Sequence, residues 1–164
     1  MQPLTPDDVQ AVIDEHGFSV KITFFDTTTA TSQQAADNIG CAVAQIVKSI
    51  CFFAKDQPII VLTSGAERVD DKKIAELQGV GRKQVRPAKP DECVDVFGYP
   101  PGSVAPFPLR TPGIIVYIDE SLRRFDQLYA AGGAHNAIFP VTLAQLIGVT
   151  GGTVTDVIKT GSPA

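Results

Sequence analysis

Cysteine is scarce in this chain, histidine scarcer still, and positive charge is outweighed by negative. The three cysteines, Cys41, Cys51 and Cys93, are odd in number and show no paired metal-ligand spacing. That suggests neither a disulfide framework nor a zinc site, so they read as small apolar fillers. Only His16, at a helix end, and His135, beside a turn, supply imidazoles, too few to build a metal centre. Fourteen Lys and Arg against eighteen Asp and Glu leave a net charge of -4, which argues against wholesale attachment to nucleic acid. No apolar run approaches a membrane span, and the opening Met1-Gln2-Pro3-Leu4-Thr5 is polar, unlike a signal peptide. The expectation is a cytoplasmic protein without a membrane partner.

Other absences concern chemistry. There is no Ser-His-Asp order, HExxH, P-loop or carboxylate pair set in an apolar pocket. Gly79-Val80-Gly81 follows a helix and lacks the third glycine of a dinucleotide fingerprint. No Pro/Ser-rich linker and no repeat divides the 164 residues, of which 44% are hydrophobic. One compact domain spanning 1–164 is expected.

What is present is a schedule of helices and strands. Thr5-Pro6-Asp7-Asp8 starts a helix with an apolar stripe at Val9, Val12 and Ile13, ended by Gly17. Residues 19–25 alternate as a strand, and the threonine-rich loop 26–32, with Thr31 near its end, leads into a helix over 33–39 closed by Gly40. Gln45-Ile46-Val47-Lys48-Ser49-Ile50-Cys51-Phe52-Phe53-Ala54 and residues 59–62 read as adjacent core strands across the turn Lys55-Asp56-Gln57-Pro58. Asp70 caps a helix over 71–77, a short strand lies near 84–86, and Pro90-Asp91-Glu92 opens a helix through Val96. Residues 113–118 form a buried strand, and Asp119-Glu120-Ser121 caps a short turn. Residues 128–131 and 137–139 flank a hairpin or tight turn at Gly132-Gly133. Thr142 caps a last helix over 143–147, and the Gly/Thr-rich end through Ala164 reads as frayed. The predicted class is α/β, of mixed α+β character: a single domain with a central mixed sheet or partial barrel flanked by helices.

Three stretches carry candidate chemistry. Lys48 sits inside an apolar run, so its ammonium must either snorkel to solvent or enter a cleft, since an unpaired buried charge costs several kcal/mol. The threonine loop leads toward that strand and could wall the same pocket. Gly98-Tyr99-Pro100-Pro101-Gly102-Ser103-Val104-Ala105-Pro106-Phe107 is stiffened by three prolines, with Gly102 free to adopt positive φ and expose its peptide to a ligand. It reads as a structural crossover or as a preorganised site. Six of the fourteen basic residues (Lys72, Lys73, Arg82, Lys83, Arg86 and Lys89) fall within residues 72–89 beside the single acid Glu76. That segment suits a phosphate backbone, and equally a solvated helix face.

The order of Gln45-Ile46-Val47-Lys48-Ser49, Gly65 and Asp70 before a helix, the Gly98 to Pro106 loop, Asp119 and Gly132-Gly133 resembles the YbaK/prolyl-tRNA-synthetase-associated editing domain family, from about Phe24 to Val149. The family's lysine falls on Lys48, and the glycine of its G-x-x-x-P motif on Gly102, completed by Pro106. Ser103 stands where many members have a second glycine, and Ala134-His135-Asn136 replaces the basic residues of some members. The resemblance implies a free-standing aminoacyl-tRNA deacylase with no cofactor and no metal. Its catalytic groups would be Lys48 and the backbone N–H groups of Gly102 and Ser103, with Thr31, Ser49, Pro106, Gly132, Gly133 and His135 at the substrate. Lys72, Lys73, Arg82 and Lys83 would meet the tRNA, and mischarged tRNA and an aminoacyl-tRNA synthetase are the implied partners. Ser49 after the lysine is similar to the cysteine-type members, which leans toward Cys-tRNA(Pro) or another small amino acid. The alternative is a non-catalytic module binding an aminoacyl-adenosine-like ligand, tRNA or a partner synthetase.

Overall fold

The longest antiparallel ladder of the molecule joins β2 (Ile46–Ala54) to β3 (Gln57–Ser64), with Lys48 opposite Thr63 and Ser49 opposite Leu62. Lys55 occupies the left-handed region, with φ 54°, in the tight connection between them. The computed structural model describes residues 1–160, and this ladder lies at the middle of their mixed sheet. The other strands are β1 (Thr23–Phe24), β4 (Val85–Pro87), β5 (Ile115–Asp119), β6 (Leu128–Ala131), β7 (Ala137–Val141) and β8 (Thr153–Thr155). Their order is β1-β7-β6-β2-β3-β5-β8, with β4 paired to the far end of β2. The β2–β6, β3–β5 and β5–β8 pairs are parallel and the rest antiparallel, so the mixed sheet read from the sequence is present.

The helices are α1 (Pro6–Glu15), α2 (Ser32–Ile39), α3 (Asp71–Gln78), α4 (Pro90–Glu92) and α5 (Leu143–Thr150). Local chemistry sets their starts. The Thr31 and Thr142 hydroxyls accept from the N–H groups of Gln34 and Gln145, Asp70 accepts from Lys72 N–H, and Asp8 takes the N–H and hydroxyl of Thr5.

Alternation along β2 and β3 then separates two cores. On one face Val47, Cys51, Phe53, Ile60 and Leu62 pack with Val9 and Ile13 of α1 and with Phe97 and Tyr99. Val9 and Ile13 are fully buried, and burying each contributes roughly 1.5–3 kcal/mol, enough to dock so short a helix. On the other face, Ile74 and Ala75 of α3 cover Phe52, Ala54, Ile59 and Val61, while Ala35 and Ala36 of α2 cover Ile46 and Ile138.

Three expectations change. Only Thr23 and Phe24 of residues 19–25 pair as a strand, because the Gln10 side chain takes Ile22 N–H at 3.0 Å and donates to Val20 O at 3.1 Å, doing what a neighbouring strand would do. The helix opened by Pro90 widens after three residues into a π turn, Cys93–Phe97, with Gly98 N–H donating to Cys93 O. The C-terminal stretch is not frayed as far as residue 160: β8 joins β5, Val157 is fully buried, and Ile158 bridges Val69. Val157 N–H donates to the fully buried Asp119 carboxylate at 2.9 Å, and Ser121 N–H takes the other oxygen. Residues 161–164, also expected to fray, lie outside the described residues.

Candidate active site

Lys48 rises from the face that α2 and α3 share, between the end covered by α2 at Ile46 and the end covered by α3 at Phe52 and Ala54. The sheet is also split there. β2 pairs with β6 only at Ile46 and Val47, and with β4 only at residues 52–54, so that among the described residues no strand flanks 48–51 on that side. Ile46 O accepts from Gly65 N–H and Cys51 O from Ala88 N–H. By strand alternation the N–H and C=O of Ser49 therefore face the split.

A cleft of about 400 Å³ occupies this place, walled by Thr31 and Ser32 at the start of α2, by Lys48 and Ser49, and by Gly65 and Gly102. Apolar wall is added by Ile46, Ile50, Val104 and Ile138. Among the described residues of the lining, Lys48 is the sole ionisable side chain.

The Lys48 ammonium donates to the main-chain carbonyl of Glu67 at 2.6 Å. An ammonium has three donors, so two remain for a ligand. Burial lowers the Lys48 pKa first and the Arg68 charge lowers it further, while the Glu67 carboxylate opposes both. The Ser49 hydroxyl, and that of Thr63 directly across the ladder from Lys48, are buried without a hydrogen-bond partner among the described residues. Buried polar atoms are usually satisfied, which marks this end of the ladder as unusual.

Two glycines let the walls come together. Gly102 has φ 86°, and a Cβ there would stand 3.1 Å from Ala30 Cβ. Gly65 has no such dihedral constraint, but a Cβ would meet Ser32 Cβ at 2.6 Å and Val43 O at 2.8 Å, so α2 is seated directly on the end of β3.

The cleft thus gathers Lys48, Ser49, Thr31 and Gly102 from the sequence-derived set and leaves the others out of its lining. Ser103 is buried and its N–H donates to Pro100 O at 3.1 Å, closing a turn, which takes that donor away from the cleft. Gly102 N–H has no hydrogen-bond acceptor among the described residues. Pro106 belongs to a separate depression with Val12, His16 and Leu109. Gly132 packs against Ile22 and Ala137, and Gly133 against Val9 and the start of α1. His135 acts through its carbonyl, which accepts from Thr29 N–H and from the Thr28 and Thr29 hydroxyls, holding the threonine loop in place.

Of the basic segment, Lys73 is bound to Asp156 at 2.8 Å, Arg82 to Asp71 at 3.0 Å and Arg86 to Glu92 at 2.7 Å. Lys72 and Lys83 are exposed with no ion-pair partner among the described residues. Ser32 belongs to the threonine loop read from the sequence as a wall of the pocket, whereas Ile50, Val104 and Ile138 were not singled out for the site, and their apolar side chains carry no signal that could have placed them there. Among the described residues no three His, Cys, Asp or Glu side chains are grouped to hold a metal, and no helix is long and apolar enough to cross a membrane.

A family model described as an aminoacyl-tRNA editing domain matches residues 26–149. The chain belongs to this family. An uncharacterized protein, YwhH, of Bacillus subtilis (strain 168) is 34% identical over 126 residues, covering 76% of this chain and 78% of that protein. The proline–tRNA ligase of Staphylococcus aureus (strain Newman) is 34% identical over 98 residues, which are 60% of this chain and 17% of the ligase. The present chain therefore spans only a small part of that enzyme's length. A crystal structure described as a candidate trans-editing enzyme for prolyl tRNA synthetase superposes with a TM-score of 0.85 at 33% identity, covering 94% of this chain and 96% of that one. The editing-domain match includes Lys48, Gly65 and Gly102, so the split in the sheet and both glycine contacts lie inside the family's own segment.

Proposed function

We propose that this editing-domain protein hydrolyses the ester joining a wrongly attached small amino acid to the terminal adenosine of a tRNA, with Cys-tRNA(Pro) the first substrate to try. The observation that carries the reading is the cleft itself: one ammonium with two spare donors, one unengaged glycine N–H, and an apolar wall, in a volume of about 400 Å³. Small-molecule sites generally occupy about 300–1,000 Å³, so the cleft has room for an aminoacyl group with its ribose. The likeness to a candidate trans-editing enzyme and to proline–tRNA ligases supports tRNA(Pro) as the carrier.

In the reaction the attacking oxygen bonds to the ester carbon and the carbonyl electron pair moves onto oxygen. The tetrahedral species then expels the ribose oxygen, which takes up the nucleophile's proton. In this reading the oxyanion is met by Gly102 N–H, which has no acceptor among the described residues, and by the Ser49 N–H that faces the split. Lys48 complements the negative charge, on that oxygen or on the adenosine phosphate. Lys48 enters this reading as the charged donor, and no carboxylate or imidazole lines the cleft among the described residues. Proton removal therefore falls to the substrate: a ribose hydroxyl acting through water, or the thiol of a cysteinyl group attacking directly. Hydrolysis by the second route would pass through a thiolactone that water opens later.

The test is a panel of tRNAs charged with non-cognate amino acids, followed for loss of the ester. Cleavage of a small aminoacyl ester well above the buffer rate is expected. A panel untouched by the wild type, together with saturable binding of a non-hydrolysable aminoacyl-adenosine analogue, would identify a binding module instead.

The free surface lysines lead to a second prediction. If Lys72 and Lys83 each meet a phosphate, Lys72→Glu with Lys83→Glu weakens tRNA binding and flattens the plot of log affinity against log salt by roughly 0.7 per phosphate no longer neutralised. Cleavage of a minimal aminoacyl-nucleotide should be nearly unchanged. Equal loss on both substrates would place these residues in fold support, and an unchanged salt slope would remove them from the tRNA footprint.

A further inference from the structure

Glu67 links the cleft to a second cavity. Its main-chain carbonyl accepts from the ammonium of Lys48, a residue of the cleft wall, at 2.6 Å. It also lines a second cavity, of about 510 Å³, bordered by the charged residues Lys73, Arg123, Lys159, Asp119, Glu120 and Asp156. The residue is only 5% exposed, and a carboxylate so placed requires a partner. That partner is Arg124, whose Nη2 stands 3.6 Å from Glu67 Oε1. Lys73, the cation of this cavity with a described partner, is already engaged by Asp156 and Ile158 O.

Arg124 is itself anchored. It ends the turn Glu120–Arg124, donates through Nε to Ser121 O at 3.0 Å, and lies 5.6 Å from the centre of the Phe125 ring. The turn is capped by the fully buried Asp119, which also binds Val157 N–H. The rest of the loop is pinned from the same side: Lys159 N–H donates to Arg68 O, Asp70 N–H donates to Val157 O, and Val69 bridges Ile158. Glu67 is thus held at its flanks by the C-terminal segment and at its carboxylate by Arg124, leaving its carbonyl aimed at Lys48.

We propose that Glu67 and Arg124 form a positioning pair, holding through the Glu67 peptide the place of the Lys48 ammonium in the cleft. Neither side chain lines the cleft, and neither touches a substrate there. With the guanidinium removed, the buried carboxylate loses its ion-pair partner and is drawn toward the other cations of its cavity, Arg123 and Lys159. The Glu67 peptide then keeps only its backbone ties, among them Glu67 N–H to Ser64 O at 3.0 Å, and the acceptor of Lys48 is less firmly held. That the ammonium matters for turnover rests on the deacylase reading; that it is held by this pair does not.

The experiment separates the two. Protein labelled with ¹⁵N at lysine is observed by NMR at the Lys48 ammonium, assigned by its loss in Lys48→Ala, in the wild type and in Arg124→Gln, Arg124→Lys and Glu67→Gln. Arg124→Gln and Glu67→Gln should both displace the Lys48 signal and speed exchange of its protons with water, with Arg124→Lys falling closer to wild type. Glu67→Gln should also lower the Lys48 titration midpoint, because a neighbouring negative charge is removed. On the cleaved substrate, kcat should fall about tenfold or more with KM little changed, as for misplacement of a catalytic group. An unmoved Lys48 signal in folded Arg124→Gln and Glu67→Gln overturns the pair. Arg124 is 41% exposed, so its replacement is a surface change; should Arg124→Gln fail to fold, the pair is structural only and the proposal also falls. If no charged tRNA is cleaved by the wild type, the hydrolase reading fails while the NMR result still decides the positioning.

Discussion

Lys48→Ala is expected to slow ester hydrolysis on a mischarged tRNA by about 10²–10³-fold, the range found when one preorganised charge-stabilising donor is taken from a hydrolase. Lys48 is the sole ionisable side chain among the described residues of the cleft, so no neighbour can assume its charge. The fold should survive. Among the described residues the side chain makes one hydrogen bond, to Glu67 O, whose loss costs about 1.5–3 kcal/mol because the donor is charged and is partly offset by removing a desolvated charge. Lys48→Arg keeps the charge but replaces a compact ammonium with a planar fork, and should recover only part of the rate. The wild type should also show an alkaline limb after subtraction of buffer hydrolysis. The ammonium is the active form, so activity is full below its pKa and is lost as pH rises through it. Because burial and Arg68 lower that pKa, the limb should fall below the ordinary lysine value of about 10.4. Rapid-quench rates for the three proteins across pH, with melting curves, check all of this. Wild-type rates from Lys48→Ala would end the assignment.

Gly65→Ala should damage stability and turnover together. Its Cβ would stand 2.6 Å from Ser32 Cβ and 2.8 Å from the Val43 carbonyl. Neither is the loose end of a flexible chain, since Ser32 begins α2 and Val43 O is backbone. Overpacking of this kind costs about 1–3 kcal/mol, at roughly 2–4 °C of Tm per kcal/mol for a chain of this size. The strain is relieved by moving the start of α2, and with it Thr31 and Ser32 on the cleft wall, so turnover should drop by up to about 10²-fold. Gly148→Ala provides the control. Gly148 lies within α5 with open space around it, and should be unchanged in activity and up to about 1 kcal/mol more stable. Calorimetry and single-turnover deacylation on both variants give the comparison; equal behaviour would mean that α2 is not seated on Gly65.

Much of the fold was legible because it is written in short-range chemistry. Threonine caps with glutamine or acid three residues on started helices where Thr5, Thr31 and Thr142 stand, the Asp70 carboxylate started another, and the apolar runs on either side of Lys55-Asp56 were the paired strands. The terminal strand β8 was not legible. Thr153–Thr155 has little apolar character, and its order comes from partners far away in sequence, β5 and the Asp119 carboxylate. The same division runs through the site. That Lys48 is out of place in an apolar strand follows from the cost of burying a charge, and that Gly102 tolerates positive φ follows from its lacking a Cβ. Whether the lysine would snorkel or enter a cleft was a question of what lies above it. Tertiary structure answered by covering β2 at both ends with different helices and leaving residues 48–51, among the described residues, without a strand on one side. The Ser103 N–H went to Pro100 O, and Pro106, Gly132 and Gly133 went to other contacts. A sequence names donors and turns, but where each N–H points is set by the backbone dihedrals that packing selects. The mixed α/β class, the family segment and the lysine and glycine of the cleft could all be read from the residues in order. The gap in the sheet, the Glu67 carbonyl that receives Lys48 and the seating of α2 on Gly65 could not, because each depends on contacts between segments distant in the chain, which no local preference encodes.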